Sequence, residues 1–248
     1  MSLVELRQQI EDKVYCNVTT KLPCIDQKSQ CITNIGTIVL SEREKLHSIY
    51  RFVPADSYNI LSILNENIFL MPASSMNDEY EGLVQSNICS SVSFRNRLLE
   101  FRRSTLLKSF SECPNSTYMW ENYADSHKGM RITYDFSKLD NNTLKHFYPV
   151  QYTNEHFTCQ KPMELQNTPY LYLRKTRKWK EEQEWRFVYL DNVERTIPLT
   201  DCIKEVCFGI RMDDLYRDSI ISAVHRIHSN IRFSQATVSS KDLSKDKR

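Results

Sequence analysis

Glycine is scarce, with four residues in a chain of 248. A Walker loop and the G-x-G-x-x-G turn both need clustered glycines to bring backbone against phosphate, so both are excluded. Any nucleotide is bound without a glycine-rich loop. Also missing is an apolar run of about 18 residues, the length that crosses a bilayer, so no membrane span is expected and the chain reads as soluble. No C-x-x-C pair occurs among the eight cysteines (16, 24, 31, 89, 113, 159, 202, 207), and Cys16, Cys24 and Cys31 are spaced too widely for a zinc knuckle. Free thiols and no metal are expected. The opening "MSLVELRQQIEDKV" mixes acids and bases and has no apolar core, which argues against a Sec signal. The expected location is cytoplasmic, in the chain's own cytosol or a host's.

The composition is that of an ordinary globular protein, 40% hydrophobic and 26% charged, and the net charge of +2 does not by itself imply nucleic acid. The basic clusters "RNRLLEFRRS" (95–104) and "LRKTRKWK" (173–180) read as solvated helix faces rather than a phosphate-tracking groove. A macromolecular partner would more readily be protein.

Apolar spacing predicts a short helix over 3–15, then an irregular stretch to about 36; residues 1–40 read as an N-terminal appendage. A domain over 41–240 and a charged tail over 241–248 follow. Within the domain, strands are expected at "HSIYRFV" (47–53), "IFLMP" (68–72), "LKSFSE" (107–112), "KGMRITYDF" (128–136) and "HFYPVQYT" (146–153). Later strands are "KWKEEQEWRFVYL" (178–190), "IKEVCFGI" (203–210) and "IRFSQATV" (231–238). Helices are expected over 57–67, 95–107, 116–127 and 213–229, the third capped by Ser116 or Asn115. Short strands joined by irregular connections point to an α+β fold rather than a doubly wound one.

Residues two apart on a strand share a face. Trp185, Phe187 and Tyr189 therefore form one stripe of the 178–190 strand, and Glu182, Glu184 and Arg186 the other. In "LKSFSE" Ser109 and Ser111 share a face, and in "SIYRFV" Arg51 lies opposite Tyr50 and Phe52. Three strands thus present an arginine, paired hydroxyls and paired carboxylates.

In that order, Arg then Ser-x-Ser then Glu-x-Glu, these residues resemble the ADP-ribosyltransferases of the Arg-Ser-Glu type. More closely, "YRF", "SMNDEYE", "SFSE", "MWENYADSHKGMRITYDF", "KWKEEQEWRF" and "IKEVCFG" resemble a widespread bacterial family of uncharacterised domains, itself similar to a divergent branch of that fold. The resemblance spans about residues 48–210. It implies a split β-structure with flanking helices around a cleft that takes NAD as substrate, with no metal. It implies catalytic roles for Glu184, Glu182 and Ser109: Glu184 against the ribose whose bond to nicotinamide breaks, Glu182 toward a macromolecular acceptor, and Ser109 supporting the carboxylate. Arg51, Ser111, Trp120, Tyr123 and His127 would bind the dinucleotide. A carboxylate suits this step because the breaking bond develops oxocarbenium-like charge.

Every one of these residues also fits a structural role. The Glu182, Glu184 and Arg186 set fits cross-strand ion pairs on a solvated face, and Trp120 and Tyr123 have the i, i+3 spacing of a buried helix face. His127 fits a helix end before Gly129, and His225 with His228 lacks a third metal ligand. Three functions stay open: the transferase, a non-catalytic nucleotide- or protein-binding module on the same scaffold, and an NAD glycohydrolase or nuclease. The transferase reading requires Arg51, Ser109 and Glu184 to line one cleft.

Overall fold

The computed structural model describes residues 2–15, 32–76, 92–154, 169–190 and 195–237. Cys16, Cys24, Cys31, Cys89, Cys159, most of the "SMNDEYE" segment and the charged tail lie outside the described residues. Helices are α1 (Leu3–Lys13), α2 (Thr33–Ser41), α3 (Ser57–Leu64), α4 (Val92–Ser104), α5 (Thr117–Tyr123), α6 (Asn141–Leu144) and α7 (Asp214–His225). Strands are β1 (Ile49–Val53), β2 (Asn67–Phe69), β3 (Met71–Pro72), β4 (Leu106–Ser111), β5 (Met130–Tyr134), β6 (Phe147–Pro149), β7 (Gln151–Tyr152), β8 (Arg174–Lys175), β9 (Glu184–Tyr189), β10 (Thr196–Pro198), β11 (Ile203–Phe208) and β12 (Arg232–Gln235). The fold is α+β. Among the described residues, one sheet runs β12-β11-β5-β1-β4-β9-β6 with β3 also on β4, and only β11 with β12 is parallel in it.

The middle of this sheet is its weakest join. β1 pairs with β5 over five residues and β4 with β9 over six, but β1 meets β4 at the single register pair Tyr50↔Ser111. Beyond that pair the two strands part, leaving a wedge between Arg51–Val53 and Lys108–Phe110. The sheet is therefore two half-sheets joined at one point.

Alternation decides which side chains fill the core. Trp185 and Phe187 of β9 lie with Phe110, Phe136 and Phe147 in a fully packed aromatic cluster, ring centroids 4.7–5.8 Å apart. Burying each such side chain contributes about 1.5–3 kcal/mol, which anchors the central strands. The opposite stripe of β9 is buried as well, so Glu184 and Arg186 do not lie on a solvated face.

The N-terminal segment is joined to this core. Leu6, Ile10 and Val14, with Ile35 and Val39 of α2, belong to the same buried cluster as the β9 aromatics. Arg7 is buried across the join: its Nε reaches Glu112 Oε2 at 3.0 Å, and its Nη atoms donate to the Val150 and Glu184 carbonyls at 2.7 Å each. Residues 33–36, expected to be irregular, begin α2.

Strand boundaries at 178–190 also differ from expectation. Arg177–Glu182 is a 3-10 helix, Gln183 is left-handed at φ 44°, and β9 starts only at Glu184. The segment at 146–153 divides between β6 and β7, which sit in different sheets. Among the described residues, no helix is long and apolar enough to cross a membrane.

Candidate functional site

The wedge between β1 and β4 is a cavity of about 320 Å³. That volume falls at the lower end of the range for small-molecule sites. Arg51, Ser109, Ser111, Tyr123, Glu182 and Glu184 all line it, together with Lys108, Lys175 and Trp179. The residues singled out on three separate strands thus reach one cavity. Trp120 and His127 do not line it.

Glu184 enters the cavity from the first position of β9, facing Ser111 across the ladder. Its carboxylate is gripped by Arg186, Nε to Oε1 at 2.6 Å and Nη2 to Oε2 at 2.8 Å, and meets Lys175 Nζ at 3.3 Å. Burial acts to raise its pKa, but the Arg186 charge, then Lys175, then hydrogen bonds from Arg186 and Ser109, hold it down at about 2. Glu184 is an anion at any physiological pH.

Glu182 arrives by another route. Its position at the end of the 3-10 helix and the left-handed turn at Gln183 bring its carboxylate onto the same lysine, Oε2 to Lys175 Nζ at 2.5 Å, while Tyr123 donates its hydroxyl to Oε1. Burial, and next the neighbouring Glu184 charge, raise its pKa despite Lys175 and Tyr123. One lysine therefore bridges two carboxylates that the surroundings push in opposite directions, the pattern that separates a permanent anion from a proton carrier.

The two serines differ in use. Ser109 supports the Glu184 carboxylate. Ser111 is fully buried, donates to the Glu182 carbonyl at 2.7 Å and accepts from Cys113 N at 3.0 Å, so its hydroxyl fixes backbone under the carboxylates. Arg51 projects from the other face of β1, where Nη2 donates to Asn59 Oδ1 at 3.2 Å, the guanidinium lies beside the buried Tyr134 hydroxyl, and Nη1 is buried with no hydrogen-bond partner in good geometry among the described residues. Trp179 Nε1 is likewise buried without a hydrogen-bond partner among the described residues. Both orphaned atoms are donors in the cavity lining, which calls for a ligand rich in acceptors.

Trp120 packs edge-on to Phe52 at 5.2 Å and parallel to His127 at 6.2 Å, in a satellite cluster with Met119, Ala124 and Cys207. It is a core residue. His127 sits at φ 70°, the third of three successive left-handed residues after Asp125 and Ser126, with Nε2 3.3 Å from Glu121. This run ends α5 and sets Gly129, where an added Cβ would lie 2.2 Å from the Val53 carbonyl. The Trp, His and Gly of that motif thus fix the end of α5 against β1. Ser116 caps the start of α5, accepting from Met119 N at 3.2 Å, and Tyr123 is its one predicted residue that reaches the cavity.

Sequence reading missed Lys175, Trp179 and Lys108. The first two lie in "LRKTRKWK", whose charge run resembles a solvated face, yet Lys175 is buried with its ammonium 4.7 Å from the Trp179 ring centroid. His225 and His228 are apart from the cavity, His228 bonding the Leu64 carbonyl at 2.8 Å. Among the described residues, no three His, Cys, Asp or Glu side chains gather as a metal site.

Residues 119–187 match a family model described as "Protein of unknown function (DUF2971)". The match supports an uncharacterised domain family. It covers α5 to most of β9, and so includes Tyr123, Lys175, Glu182 and Glu184 but not Arg51, Lys108, Ser109 or Ser111. One wall of the cavity lies inside the matched region and the other outside it. Neither the curated proteins nor the solved structures gave a match.

Proposed function

We propose that the protein is an NAD-dependent ADP-ribosyltransferase-like enzyme, cleaving the bond between nicotinamide and ribose and passing ADP-ribose to a macromolecular acceptor. The observation that carries this reading is the meeting of Arg51, Ser109 and Glu184 in one cavity at the parting of the sheet. The orphaned Arg51 and Trp179 donors suit the acceptor-rich phosphates, ribose and carboxamide of a dinucleotide.

The chemistry follows from the charges. Glu184, kept ionised, stabilises positive charge as it develops on the ribose, more in the transition state than before it. Glu182, with its raised pKa and its hydrogen bond from Tyr123, is suited to accept the proton of the incoming nucleophile. Lys175 holds both carboxylates at fixed positions.

The test is release of nicotinamide by purified protein, with and without lysate proteins as acceptors. Wild type should release it, and Glu184→Gln should reduce the rate by about 10²–10³-fold. Because Glu184 is the partner of buried Arg186, Ser109→Ala serves as the second variant, with slower release in a stably folded protein. No release by wild type under either condition would end the enzyme reading. One observation favours the alternative of a non-catalytic nucleotide- or protein-binding module: Glu184 is already neutralised by Arg186 and Lys175. That module would bind NAD and leave it intact.

A further inference from the structure

The cavity has a second charged region that the carboxylate chemistry does not use. Lys108 of β4 lines it, is 8% exposed, and makes no hydrogen bond or ion pair among the described residues. Register places Lys108 on the Phe110 face of the sheet, opposite Ser109 and Glu184, and on the same side as Arg51. Its ammonium lies 5.6 Å from the centroid of the Tyr58 ring.

The groups facing Lys108 are few: Arg51 from β1, and Asp56 and Tyr58 from the start of α3. Arg51 repels it. Asp56, the carboxylate in reach, is engaged in capping α3, where one oxygen accepts from both Asn59 N and Asn59 Nδ2 at 2.8 Å. Burial first, and Arg51 second, lower the Lys108 pKa to about 7 against the pull of Asp56. Two cations therefore border one cavity, Arg51 with a buried orphan donor and Lys108 with only the Tyr58 ring against its ammonium and no hydrogen bond or ion pair among the described residues. Buried charge left unpaired is costly, and a bound anion removes that cost for both.

We propose that Lys108 and Arg51 form an anion subsite on the α3 side of the wedge, which takes a phosphoryl group of the ligand. The anion itself does not depend on the transferase reading; only the assignment of the phosphoryl group to a nucleotide rests on it. A ligand spanning the wedge would place its phosphoryl end at Arg51 and Lys108 and its sugar end at Glu182 and Glu184. Lys108 binds as an ammonium, so binding strengthens below about pH 7 and weakens above it as the free protein loses that proton.

Sulfate is the first probe, because its charge is constant from pH 6 to 8. Titration calorimetry should show wild-type affinity falling severalfold over that interval. Lys108→Met should bind about tenfold more weakly at pH 6 and show no pH dependence, and Lys108→Arg should bind equally well at both pH values. Nitrogen NMR of the wild-type lysine amine needs no variant: sulfate should raise the Lys108 pKa. No sulfate binding at pH 6, equal binding by Lys108→Met, or an unmoved amine pKa would each overturn the subsite.

AMP and adenosine identify the source of the anion. Tighter binding of AMP, with the advantage lost in Lys108→Met, supports a nucleotide phosphoryl group. Sulfate binding with no preference for AMP supports a free anion and overturns the nucleotide assignment. Sulfate binding without NAD turnover leaves the subsite standing and removes the transferase reading. NAD turnover without sulfate binding does the reverse.

Discussion

Glu182 and Glu184 are two residues apart and share one lysine, yet their environments work in opposite senses. Glu184 has its pKa lowered from 4.5 to about 2, so its contribution to stability is complete above pH 4.5 and is lost as pH falls through 2. Its size is on the order of 3 kcal/mol. Glu182 has a raised pKa, so its protonated form is favoured in the fold, and stability declines as pH rises from 4.5 through the raised value. Urea unfolding from pH 2 to 7 should show both limbs. Glu184→Gln should flatten the acid limb and Glu182→Gln the upper one. A Glu182→Gln variant with an unchanged upper limb would contradict the assignment.

The alternation of the sequence puts Glu184 and Ser109 on the face that the ladder gives them, because a strand of period two leaves little choice of face once Trp185 and Phe187 are taken as core. It also puts Glu182 beside Glu184, though for a different reason than the one that operates. A strand would have done this by pleat; the protein does it by a 3-10 turn and a left-handed glutamine, a conformation that no residue type at 183 announces. Lys175 and Lys108 stay hidden for a plainer reason. Lysine is mostly a surface residue, and only tertiary contact reveals one that is buried.

At the scale of elements, the end of α5 is tightly constrained. Three left-handed non-glycine residues in succession are each uncommon, and they persist because the packing around them leaves no alternative. Gly129 and Gly209 make room for this turn: an added Cβ at Gly209 would lie 2.0 Å from the His127 carbonyl. Gly129→Ala should therefore destabilise the protein by about 1–3 kcal/mol or more, since the obstacles are backbone atoms of Val53 and Ala124 that cannot swing aside. Thermal unfolding checks this, and a loss below about 0.5 kcal/mol would mean the turn is more pliable than its contacts imply. The helix itself was legible from its cap and spacing; the i, i+3 spacing of Trp120 and Tyr123 points to a buried face, as Trp120 has, but does not say that Tyr123 on that same spacing turns to the cavity instead.

At the scale of the whole molecule, the N-terminal helices pack into the common core, and α1 reaches the back of the candidate site through Arg7. That contact was invisible in the sequence because Arg7 meets Val150 and Glu184, 143 and 177 positions away. The strand order was equally hidden. Neighbours in the sheet, such as β1 beside β4 and β5 beside β11, come from distant parts of the chain, and local periodicity says nothing about them.

The single Tyr50↔Ser111 pair has a consequence for how the chain folds. Each half-sheet has a ladder of at least five residue pairs to hold it, but the junction has one, so the halves gain little by meeting until each has formed. The cavity should be the last part of the molecule to assemble. In pulsed hydrogen exchange during refolding, amides of the β1–β5 and β4–β9 ladders should gain protection before those of Tyr50 and Ser111. Simultaneous protection would show that the halves condense together. On the expected order, a nascent chain passes through a stage in which the sheet is largely built while Arg51 and Glu184 have yet to meet.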